Sequence, residues 1–227
     1  MRPPDSLILG PHFLALQERA THEIDWILPA FLVGALLIVF ARLYHPRKFG
    51  IFWALPFNRG VKNFESEFNP NGVKDVFDVL LTLNFYLVYT LGCLLVLPVQ
   101  MGIFNFVRIL FIIVLFFLVR NFMSLLVGWL FRQQEGIAVV QNTSLAYRSW
   151  SALWLFPLVV LGTYSPFLSD GSHPVILFFM MGGYLISMCI SGLRLWNLPA
   201  GLNYKILYLC ALEIIPFSFL IYWLTSL

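Results

Sequence analysis

Residues 103–131 read IFNFVRILFIIVLFFLVRNFMSLLVGWLF, with Arg108 and Arg120 as the only charges. Apolar side chains fall on every face of a helix drawn through this stretch, not along one stripe. A helix that is apolar all round is surrounded by apolar material, and about 20 such residues cross the hydrocarbon core of a bilayer. A strand fits badly. Barrel strands alternate apolar and polar residues, and an open strand in lipid leaves its backbone groups unpaired. Residues 103–131 therefore predict a membrane-spanning helix.

Outward from it, five more runs meet the same criterion: 26–44, 78–99, 150–167 (short, and containing Pro157), 174–194 and 204–224. Together they predict an all-α polytopic membrane protein, a bundle of six transmembrane helices over residues 26–227, preceded by a tail at 1–25. The 227-residue composition agrees, with 60% hydrophobic residues, 11% charged residues and a mean hydropathy of +0.84. A soluble domain carries roughly 25% charged residues. These values exclude a soluble enzyme, a nucleic-acid-binding domain and a disordered linker.

Basic residues set the orientation. Arg42, Arg47, Lys48, Arg59, Lys62 and Lys74 cluster at the loop 45–77, Arg132 and Arg148 follow the third span near Arg120, and Arg194 and Lys205 join the last two. The opposite side has only Arg2 and Arg19, in the tail. The positive-inside rule makes the loop 45–77 cytoplasmic and both termini periplasmic. In that loop, PRKFGIFWALPFNRG (46–60) reads as a stretch lying on the membrane as a lipid-facing anchor, and Arg47, Lys48, Arg59 and Lys62 give it a basic surface. Residues 132–149 read as a second, polar cytoplasmic connection.

Four short motifs in order resemble a known family: Tyr44-His45-Pro46-Arg47-Lys48-Phe49, Leu81-Thr82-Leu83-Asn84-Phe85, Gly128-Trp129-Leu130-Phe131, and Leu209-Cys210-Ala211-Leu212-Glu213-Ile214-Ile215-Pro216. They are similar to a family of integral membrane proteins from Bacteroidota known only as a domain of unknown function. The resemblance runs from about Ile24 to the C-terminus. It implies an inner-membrane protein of a Gram-negative bacterium, implies no activity or cofactor, and directs attention to Asn84 and Glu213.

A charge at mid-bilayer costs about 2.5–3.5 kcal/mol, so each needs a partner. Glu213 lies deep in the sixth run, with Pro216 nearby freeing a backbone carbonyl. Counting inward at 1.5 Å per residue puts Arg120 and Asn84 within reach of its depth. Glu213, Arg120 and Asn84 are therefore expected to form an intramembrane polar cluster, either fixing helix packing or carrying a proton or ion. Gly183, Ser187 and Ser191, at four-residue spacing, are expected to be a helix-packing strip, widened by Gly182 and Gly192.

No catalytic, metal or cofactor signature occurs. His12, His22, His45 and His173 avoid span interiors, Cys93, Cys189 and Cys210 form no C-x-x-C pair, and phosphate loops and serine elbows are missing. The first functional expectation is a non-enzymatic accessory or assembly subunit of a cell-envelope complex, with the bilayer and membrane proteins as partners and no nucleic acid. The alternatives are a small transporter or proton-conducting subunit built on a Glu–Arg pair, and a lipid-modifying enzyme with Arg47, Lys48 and Arg59 near headgroups.

Overall fold

The structure is a computed structural model that describes residues 26–55, 75–97, 102–164 and 172–196. The expected tail at 1–25, most of the 45–77 loop and the sixth run at 204–224 lie outside the described residues. Six helices follow in order: α1 (Ile27–Tyr44), α2 (Pro46–Trp53), α3 (Val76–Val96), α4 (Ile103–Leu130), α5 (Gln134–Tyr164) and α6 (Ser172–Trp196). All but α2 are long and apolar enough to cross a membrane, and no strand occurs among the described residues. The five long apolar helices mark a multi-pass membrane protein.

Local chemistry sets the helix boundaries. His45 has φ −139° and ψ 72° and interrupts the chain before Pro46. A proline pushes its preceding residue out of the helical region and suits the first helical position itself. At the end of α4, Arg132 has φ 54°, and the Gln133 N–H donates to the Gly128 carbonyl at 2.9 Å. This left-handed closure satisfies one of the otherwise orphaned carbonyls of the last turn. Pro157 sits inside α5 without ending it. Membrane helices tolerate such a residue where neighbouring groups satisfy the freed backbone.

Helix α3 is the hub, packed on α1, α4, α5 and α6, while α5 and α6 form the most intimate pair. One apolar cluster joins Phe85, Val88 and Leu94 of α3 to Ile113 and Phe117 of α4, Leu155 and Val159 of α5, and Ile176 of α6. A second, at the α1–α2 end, joins Ala41, Phe52, Leu55, Phe77, Leu81, Ala146 and Tyr147.

Two sequence expectations need correction. Residues 134–149 belong to α5, not to a polar connection, and the fourth span is correspondingly longer. Ile137, Val140, Ser144, Tyr147 and Arg148 are all buried. Their three- and four-residue spacing makes one inward face, which the polar residues between them mask when hydropathy is averaged along the chain. The anchor reading of residues 46–60 also changes over its described part, 46–55. Phe52 and Leu55 are buried in the bundle, and the Tyr147 hydroxyl donates to the Leu55 carbonyl at 3.3 Å. Trp53 stays exposed, its ring 5.2 Å from that of Trp154.

Candidate functional site

Helix α5 presents Ser144, Arg148 and Ser151 on one face, and α6 answers with Gly183, Ser187 and Ser191. The Ser144 and Ser187 hydroxyls lie 3.0 Å apart. Ser187 Oγ is also 3.0 Å from the Ser144 carbonyl, and Ser191 donates to the Ser187 carbonyl at 2.8 Å. One turn outward, the Tyr89 hydroxyl is 3.0 Å from Ser151 Oγ and bonds the Met180 carbonyl at 3.4 Å. Gly183 makes this approach possible, because a Cβ there would stand 2.5 Å from Ser151 Cβ. In lipid, small residues and interhelical hydrogen bonds supply the adhesion that water exclusion supplies elsewhere.

Arg148 is the charge within this seam, and it is 3% exposed. Its Nη2 donates to Ser144 Oγ. Its Cζ lies 4.8 Å from the Phe117 ring centroid and 5.6 Å from that of Tyr184. Its Nε has no hydrogen-bond partner among the described residues. Cation–π contacts contribute about 2 kcal/mol when desolvated, comparable to the insertion cost of one charge. They leave the in-plane Nε–H unsatisfied. A guanidinium clasped between rings with a free in-plane donor is set up to take a planar acceptor such as a carboxylate.

The sequence-predicted residues distribute as follows. Arg120 is 4% exposed, on the same bundle-facing stripe of α4 as Phe117, Ser124 and Gly128. Asn84 is fully buried, but neither amide atom has a hydrogen-bond partner among the described residues, so it does not bond Arg120. Asn84 lies beside α1, its Oδ1 3.5 Å from where a Gly34 Cβ would be. Glu213 lies outside the described residues, as do Arg59 and Lys62. Gly192 is half-buried on α6. Gly183, Ser187 and Ser191 all sit on the buried face of α6. Gly182 does not share it, because a Cβ there would meet nothing within 4 Å. Arg47 is exposed on α2. Lys48 forms an ion pair with Asp75, and that hydrogen bond and charge hold the Asp75 carboxyl below its ordinary range.

Sequence reasoning missed Arg148, which it left in a loop. The available signal was its register, one turn after Ser144 and just before Ser151. Among the described residues no group of three His, Cys, Asp or Glu side chains could hold a metal ion. A family model described as a domain of unknown function, DUF4271, matches residues 27–224. No curated protein and no solved structure matches the chain.

Proposed function

The chain belongs to the DUF4271 family, and from that premise we propose that it is a non-enzymatic accessory or assembly subunit of a complex in the bacterial cell envelope. The observation that carries this reading is how the interior polar groups are used. Ser144, Ser151, Ser187, Ser191 and Tyr89 bond each other and backbone carbonyls across α3, α5 and α6. These contacts join helices and occupy the hydroxyls that a reaction would need.

The setting proposed is the inner membrane of a member of the Bacteroidota, with both termini periplasmic. Arg120 and Arg148 are buried in helices and no longer count toward orientation. In the sequence, Arg42, Arg47, Lys48, Arg59, Lys62, Lys74 and Arg132 still fall in the connections read as lying on one side, and short-loop basic residues favour the cytoplasm. Purification of the tagged full chain in mild detergent, followed by cross-linking mass spectrometry, tests the assignment. A stoichiometric membrane-protein partner supports it. A monomer without cross-links in native membranes overturns it.

A second reading rests on a different observation, the two buried guanidinium groups of Arg120 and Arg148. Paired with the carboxylate of Glu213, they would make a proton- or ion-conducting centre. Proteoliposomes that carry proton or ion flux in the wild type, lost in Glu213→Gln while the protein stays folded, would favour this reading over the first.

A further inference from the structure

The depth of each helix in the membrane follows from ring contacts. Trp26 and Phe106 lie 5.3 Å apart and fix one level at which α1 and α4 begin. Helix α1 rises roughly 27 Å from Trp26 to Tyr44 at 1.5 Å per residue, close to the hydrocarbon thickness of about 30 Å. The same rise along α4 from Phe106 arrives at Ser124. His45 and Phe77 rings are 6.3 Å apart, so α1 ends where α3 begins. Phe85 and Phe117 rings are 5.1 Å apart on antiparallel helices, which makes Phe77 roughly level with Leu125.

Helix α4 continues past that plane to Leu130, about 8 Å further, and turns at Phe131–Arg132 into α5. The headgroup layer is about 5–8 Å deep on each side. The α4–α5 turn therefore lies in the headgroup layer on the side of Lys48 and Asp75. It contains an open cleft of about 720 Å³ lined by Trp129, Leu130, Arg132, Gln133, Gln134 and Gly136. Arg132 is exposed. Trp129 and Leu130 are 69% and 61% exposed, and they continue the exposed apolar shaft of α4 up to the cleft.

We propose that this cleft holds the phosphate of an anionic glycerophospholipid. Arg132 contacts the phosphate, Gln133 and Gln134 border the polar headgroup, and Trp129 and Leu130 lie against the glycerol and upper acyl chains. A cation beside an aromatic at this depth matches what such a lipid offers: negative charge at the phosphate, apolar surface directly beneath.

The test uses the full chain in nanodiscs of equal phosphatidylglycerol and phosphatidylcholine, released into native mass spectrometry. The wild type is expected to retain phosphatidylglycerol preferentially. Arg132→Gly should reduce that enrichment about fivefold, the factor for the ~1 kcal/mol of one basic residue near an anionic surface. It should not lower the unfolding temperature, because glycine suits the left-handed backbone there. Arg132→Lys should keep the enrichment, and Arg132→Gln, which retains a side chain, should lose it. Unchanged enrichment in both neutral variants overturns the proposal. Displacement of the lipid by millimolar inorganic phosphate, with no effect of Trp129→Ala, would assign the cleft to free phosphate and also overturn it.

Discussion

The two faces of α3 treat their polar residues in opposite ways. Toward α5 and α6, Tyr89 shares hydrogen bonds with Ser151 and the Met180 carbonyl, and the seam below it is filled by paired serines. Toward α1, Asn84 is as deeply buried, but its amide stands unbonded among the described residues beside Gly34. In lipid there is no water to satisfy an idle donor, so a bonded polar group joins helices while an unbonded one costs stability. The seam is thus the adhesive side of α3, and Asn84 marks a place whose polar group serves no contact in the described bundle.

The contrast can be broken most forcefully at Gly183. Gly183→Leu has to drive a side chain into Ser151 and should destabilise the bundle by about 3 kcal/mol or more, measured by unfolding in mixed micelles; tolerance would mean that α5 and α6 are not in close contact. By comparison, Gly92→Ala meets the flexible tip of Met180 at 2.8 Å and should cost less. Next comes Asn84→Leu. Removal of an orphaned amide should stabilise the fold by about 1–3 kcal/mol, and a clear loss instead would show that the amide holds a group outside the described residues. Ser187→Ala should cost about 0.6 kcal/mol, the average for hydrogen bonds between membrane helices, and the same assay reads it. Gly182→Ala, with open space around it, should gain about 0.5 kcal/mol from helix propensity.

The smallest expected effect lies at the α2 junction. Because Lys48 lowers the Asp75 pKa, the pair's contribution is fully present above the ordinary carboxylate pKa of the unfolded chain. It is lost as pH falls through the lower, folded value. Trp53, ring to ring with Trp154, should report the release of α2 as a change in emission as pH falls through that lower value. A Lys48→Met variant should lose that pH dependence; if it persists, another group is responsible.

Hydropathy along the chain determined the helical class and four of the span positions, because the cost of unpaired backbone in lipid leaves few alternatives to a long apolar helix. The same averaging hid the first half of α5. Its inward face is made of Ile137, Val140, Ser144 and Arg148, and the polar run Gln133–Glu135, Gln141–Thr143 and the two polar members of the face itself lower the average; such a face is recognisable only once a neighbour covers it. Arg120 and Asn84 could be picked out in the sequence as polar residues within apolar runs. Which way each points could not, because helix rotation is decided by packing against other helices. Arg148 shows the limit most clearly. Its charge marked it for the surface, and only the meeting of Phe117, Tyr184 and Ser144 from three helices made an interior position for it.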